Sequence, residues 1–330
     1  MEADGETPEG QEESRPHERV EASAPGKVIL FGEHAVVYYR PAIAVPIMQV
    51  KATVVAEYGR PEAGVVIHAE DIGRRYMADA ARPEEPLAYT CRTVLREFGI
   101  EAEPDVRLSL HSEIPIASGL GSGAATSAAM AKALARWLGH ELPPDRLSAI
   151  VYETEKIHHG TPSGIDNSVV AYEQPIWFQR DEPIQMFKVG APLTLLVADT
   201  GVYSPTRHTV GDVGQRWTEN PARYDSLFDH ITEITWQARA ALQHGDATRL
   251  GQLMNENHRW LVELGVSAPE NDHLAEAARR AGALGAKLSG GGRGGNNVAL
   301  VRPEQAAAVT EALLAAGAVR VLQSTLEPRP

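Results

Sequence analysis

The chain has 330 residues, 43% of them hydrophobic, which suits one large or two medium domains with an ordinary globular core. Its formal net charge of −13 argues against general binding to nucleic acid or anionic membranes, and no run reaches the roughly 18 apolar residues of a membrane span. One cysteine, Cys91, excludes an internal disulfide and fits a reducing, cytoplasmic compartment.

Residues 1–19 are rich in Glu, Pro and Gly with almost nothing apolar, and predict a disordered acidic tail. That tail has neither the basic start nor the apolar stretch of a secretory signal. From Val20 the pattern changes. "KVILFG" and "AIAVPI" read as strands, with a Pro-Gly turn before the first, and "VKATVVAEY" and "GVVIHAED" follow with partial alternation. "PLAYTCRTVLREFG" has helical spacing and ends on Gly99, while "VRLSLHSEIPI" alternates as a strand. An alanine-rich helix then runs to about Gly139, and a further helix after "PPD" carries Leu147, Ile150, Val151 and Thr154 on one stripe. "PIWFQR" and "LTLLVADTG" read as strands, with "RDEP" between them marking a domain boundary. Helical segments from about Pro221 to Gly265 and a helix after "SAPEND" lead to "AKLSGGGRGGNNVALV", a strand–glycine loop–strand unit. The helix "PEQAAAVTEALLAAG" and the strand "VRVLQST" complete the chain. Strands and helices mix without strict alternation, so the fold class is α+β in two domains, 20–185 and 186–330.

The stretch "IPIASGLGSGAATSAAMAKALARWLG" puts a glycine loop between a strand and a helix. Such a junction aims unpaired N–H groups and the positive end of a helix dipole at an anion. It lacks the GK[ST] ending of a Walker loop, and no acidic ribose partner supports a dinucleotide site. Alone, it is equally a tight strand–helix turn. A second loop, "SGGGRGGNN", a turn-borne lysine in "SAPGKVILFGEH", and the carboxylates of "ETEKIHHGTPSGIDN" complete a parts list for phosphoryl transfer. Each part has a plainer reading: Glu155 as a solvated helix residue, Asp166 as a helix N-cap. Of only six lysines, Lys27 and Lys287 fall in or beside these motifs.

Together, "SAPGKVILFGEHAVV", "IPIASGLGSGAATSAA" and "KLSGGGRGGNNVAL" resemble the three signature motifs of the GHMP kinases, in order. "FGEHAVV", "HGTPSGIDN" and "LMNENHRWLVELGVSAPENDHL" most resemble the mevalonate kinase branch of that family. The resemblance implies a two-domain GHMP kinase fold, with an N-terminal ribosomal protein S5 domain 2-like part and a C-terminal ferredoxin-like part. It implies transfer of the γ-phosphate of ATP to the C5 hydroxyl of mevalonate, with Mg2+ as cofactor. By motif position it implies Asp166 as base and Lys27 beside it. Pro115, Ser118, Gly119, Leu120, Gly121, Ser122, Gly123, Ala124 and Ala125 would form the ATP loop, with Gly290, Gly291, Gly292, Gly294 and Gly295 in the third-motif loop. Glu33, His34, Ser163 and Thr206 would lie near substrate, and Glu155 would hold the metal with Ser122 as a second candidate. Two positions depart from the family pattern. Gly123 stands where the family has a metal-binding serine, and Asn296 where it often has cysteine. Phosphomevalonate kinase, mevalonate 3-kinase, mevalonate-phosphate decarboxylase and a non-catalytic ligand sensor are the alternatives, and a homodimer stays open.

Overall fold

The computed structural model describes residues 18–115, 119–159, 162–203 and 206–328. Nearly all of the acidic tail, and Ser118 of the glycine loop, lie outside them. The first part of the chain runs β1 (Arg19–Phe31), β2 (Ala42–Tyr58), β3 (Val65–Ala69), β4 (Arg74–Met77), α1 (Pro86–Glu97), β5 (Val106–Ser112), α2 (Ser122–Trp137), α3 (Pro144–His159), α4 (Ile165–Tyr172), β6 (Ile176–Phe178) and β7 (Gln185–Met186). These strands make one seven-stranded sheet in the order β4-β3-β5-β2-β6-β7, with β1 paired to β2.

Two local expectations change. The Pro25–Gly26 dipeptide does not turn; β1 passes straight through it with a bulge, its register jumping from Pro25 opposite Lys51 to Gly26 opposite Ile47. The two strands expected at "AIAVPI" and "VKATVVAEY" are one strand of 17 residues, because β1 is long enough to pair with both. Helix α2 lies against this pair and between α1 and α3. Seven of its buried residues are alanines, which let the helix pack closely, with Met130, Leu134 and Trp137 filling the remaining space.

The second part runs β8 (Leu193–Asp199), α5 (Thr206–Glu219), α6 (Pro221–His244), α7 (Ala247–Glu263), α8 (Pro269–Arg280), β9 (Gly285–Ser289), β10 (Asn296–Val301), α9 (Ala306–Ala315) and β11 (Arg320–Leu326). The antiparallel order β11-β8-β10-β9 is the split βαβ arrangement of a ferredoxin-like sheet, as expected. The helical stretch from Pro221 is two helices, broken where Gly245 takes φ 72° and Asp246 caps α7 through the Arg249 N–H. Helix α5 was not foreseen. Its start is polar, it holds two glycines, and only Thr209 and Val213 are buried, so it carries no apolar stripe to read. Among the described residues no helix is long and apolar enough to cross a membrane.

Candidate active site

The site is built where β1, the loop before α2, and the start of α4 meet. Just past the bulge, the Lys27 N–H donates to the Leu120 carbonyl at 2.9 Å, tying the strand to the glycine loop. The Lys27 ammonium reaches Asp166 Oδ1 at 2.9 Å. Asp166 stands in the first turn of α4, where the helix dipole favours a carboxylate. It is not the N-cap; Gly164 is, at φ 96°, and Ser163 Oγ accepts the Ile165 N–H at 3.3 Å. Gly121 must be glycine for two reasons. Its φ is 74°, and a Cβ there would stand 2.9 Å from Lys27 Cγ and 3.7 Å from Asp166 Oδ2. The loop therefore packs its backbone directly over the lysine–aspartate pair.

Gly121 is also the N-cap of α2 and, lacking a side chain, supplies no side-chain cap to the first N–H groups of the helix. Ser122, Gly123, Ala124 and Ala125 form the first turn, with Gly119, Leu120 and Pro115 leading into it. The Ala125 N–H bonds the Gly121 carbonyl at 2.9 Å. Thr126 does not stand in for a hydroxyl at Gly123: its Oγ1 donates to the Gly123 carbonyl at 2.9 Å, inside its own helix.

Glu155, on α3, is only 2% exposed, not the solvated helix residue of the plainer reading. Burial, and then the charge of Asp166, push its carboxyl up to about 7, with Lys27 opposing. Among the described residues no three His, Cys, Asp or Glu side chains gather as a ready metal cage.

The third-motif loop closes on this group from the second sheet. Gly290, Gly292, Gly294 and Gly295 all have positive φ, whereas Gly291 is required by space: a Cβ would lie 2.9 Å from Thr206 Oγ1. Thr206 opens α5. A Cβ on Gly119 would come within 3.7 Å of Asn296 Nδ2, so the two glycine loops are neighbours. His34 Nε2–H donates to the Gly291 carbonyl at 3.0 Å. Burial pushes the His34 imidazole down to about 4, the Gly291 carbonyl opposing, with Arg216 and Arg293 adding to the depression. It is therefore neutral at pH 7, and its buried Nδ1 has no hydrogen-bond partner among the described residues. Glu33, its neighbour, is fully buried and both carboxylate oxygens are engaged, Oε1 by Lys287 and Oε2 by Asn257 Nδ2 at 3.2 Å.

The structure thus brings together Lys27, Asp166, Glu155, the Gly119–Ala125 loop and the 290–295 loop with His34 and Thr206. Sequence reading passed over two asparagines. Asn257 holds Glu33, and Asn271 clasps the third loop, accepting the Gly294 N–H at 2.8 Å and donating to its carbonyl at 3.0 Å. Both stand in the "NENHRW" and "PENDHL" segments, whose polar residues on helix faces were the available signal.

Residues 86–174 match the GHMP kinases N terminal domain, and residues 238–319 the GHMP kinases C terminal domain. A mevalonate kinase of Thermococcus sibiricus is 34% identical over 322 residues, covering 92% of this chain and 95% of that protein. One from Aeropyrum pernix is 35% identical, covering 85% and 88%. The crystal structure of L. major mevalonate kinase in complex with R-mevalonate is similar, with a TM-score of 0.84 and 30% identity, covering 96% of this chain and 99% of that one. A Streptococcus pneumoniae phosphomevalonate kinase shares the fold, with a TM-score of 0.76 at 15% identity. With the lysine–aspartate pair lying under a glycine loop and the likeness running nearly end to end, this chain belongs to the GHMP kinases and, within them, to the mevalonate kinase family.

Proposed function

We propose that this chain transfers the γ-phosphate of ATP to the C5 hydroxyl of mevalonate, giving 5-phosphomevalonate and ADP. The observation that carries this is the Lys27–Asp166 pair at 2.9 Å beneath the Gly121 backbone, at the uncapped start of α2. The α2 N–H groups and the loop before them cradle the ATP phosphates. Asp166 orients the C5 hydroxyl and receives its proton as the hydroxyl oxygen bonds to the γ-phosphorus and the bond to ADP breaks. Lys27 holds Asp166 in place and stands where charge spreads over the transferred oxygens. His34, neutral and with no partner on Nδ1 among the described residues, and Thr206 and Ser163 contribute polar contacts on the substrate side.

The residues fit Mg2+. Glu155 is a buried hard-oxygen donor whose carboxyl is pushed up to about 7 by burial and by Asp166, a cost that a divalent cation beside it removes. Mg2+ takes one or two carboxylates together with phosphates and waters, so the missing hydroxyl at Gly123 does not exclude it. Glu155 would hold it, with Ser122 next to the phosphates, and the ion would neutralise phosphate charge.

The test is to supply ATP, Mg2+ and mevalonate, and separately 5-phosphomevalonate, and identify products by phosphorus NMR and mass. A 5-phosphate formed from mevalonate is expected. A 3-phosphate, a diphosphate or carbon dioxide release would overturn the reading in favour of a sister activity, and binding without turnover in favour of a ligand sensor.

A further inference from the structure

We infer that Lys287 is a positioning residue for the reaction: with Glu33 it forms a buried clamp that holds the His34 segment against the third glycine loop. The inference rests on the kinase reading above. Side chains along a strand face one side at every second residue, so Lys287 and Ser289 share a face of β9, and the Gly291 carbonyl in the loop beyond adds a third cross-link. Lys287 bonds the Glu33 carboxylate, Ser289 Oγ donates to the Ile29 carbonyl at 2.7 Å, and the Gly291 carbonyl receives His34 Nε2–H at 3.0 Å. Their partners lie at the end of β1 and in the turn after it. The backbone of β9, the last strand of its sheet, is held along its edge by α7: the Ala286 N–H donates to Asn255 Oδ1 at 3.0 Å, and the Leu288 N–H to His258 Nδ1 at 3.3 Å. The strand that carries Lys287 is therefore fixed, and what the clamp sets is the place of the segment it grips.

That segment needs holding. His34 sits at φ 60°, a backbone conformation that costs a non-glycine residue energy, and its ring bond to Gly291 is one long-range tie. Glu33 is the adjacent residue, anchored through both oxygens, with Lys287 and Glu33 each at 0% exposure. Burial pushes the Lys287 ammonium down, and Glu33 opposes that shift through its charge and its hydrogen bond. A packed apolar pair of similar volume would stabilise a core at least as well. The clamp's return is in geometry: it keeps the substrate-side histidine and the third loop in register across the two sheets.

The experiment compares Glu33→Gln, Lys287→Met and the double variant by melting temperature, by kcat and KM for mevalonate and ATP, and by Kd for a non-hydrolysable ATP analogue. The single variants each leave one buried charge and are expected to melt early. The double variant removes both, and is expected to melt close to the native chain while both KM values rise about tenfold or more and kcat changes little. A double variant with native KM values, or with a loss confined to kcat, overturns the inference. If the double variant does not fold, Ser289→Ala removes one cross-link without stranding a charge. A rise of about threefold in both KM values is then expected, and unchanged values overturn it. Failure of the native chain to turn over mevalonate would sink the kinase reading alone, because the analogue Kd of the double variant against the native chain still decides the clamp.

Discussion

Two lysine–carboxylate pairs sit within one neighbourhood of this protein and differ chiefly in their access to solvent. Lys27 and Asp166 have side chains 7% and 29% exposed, whereas Lys287 and Glu33 are both at 0%. The first pair lies at the mouth of a helix, under a glycine, with its carboxylate still partly open to solvent. The second has every oxygen committed within the protein. The lesson is that a charged pair does chemistry when part of it remains free to exchange partners, and organises structure when none does.

The strongest way to break this comparison is kinetic. Asp166→Asn is expected to lower kcat by about 10²–10⁴-fold, the usual contribution of a positioned acid–base group, with a melting temperature near native. A large stability loss with retained kcat would place Asp166 with the structural pair. Lys287→Met should behave in the opposite way, losing about 3–5 kcal/mol of stability as Glu33 is stranded in the interior. Denaturant unfolding measures it, and Lys27→Met, whose partner can still meet water, should lose far less.

A titration sharpens the picture of the open pair's surroundings. The Glu155 carboxyl rises in the folded chain from an ordinary 4.5 to about 7, so the folded state binds a proton that the unfolded state has released. Its contribution to stability is full below about 4.5 and is lost as pH rises through about 7, a swing on the order of 3 kcal/mol. His34 and His258 are both held down to about 4 by burial and act with the opposite slope, losing stability as pH falls below 6.5. The melting difference between native protein and Glu155→Gln, measured from pH 5 to pH 8 without metal, isolates the glutamate. A difference that does not change with pH would remove Glu155 from this account. The smallest expected effect is at Gly123→Ser, where a restored hydroxyl should lower the Mg2+ concentration for half-maximal activity a few-fold and leave stability within about 0.5 kcal/mol. No change in metal dependence would show that the position is not near the ion.

The difference between what was legible and what was not follows the range of the interactions. The glycine-loop and helix junction at Gly119–Ala125 is a local event, written in consecutive residues. The bulge at Pro25–Gly26 looked like a turn because the dipeptide favours one; only the long partner β2 carries the chain through it. Helix α5 was invisible because it buries little and so needs no apolar stripe.

By itself, the sequence determined the order of the motifs and the two-domain α+β class, because turn chemistry, strand alternation and helix spacing act over a few residues; the candidates Lys27, Glu155 and Asp166 came from the resemblance of those motifs to the GHMP kinases. Only the tertiary structure decided that Lys287 meets Glu33 across 254 positions and that Asn257 reaches Glu33 across 224. It also decided that His34 is buried and neutral. A buried polar group finds its partner wherever the fold happens to bring one, and that partner leaves no periodic trace in the chain.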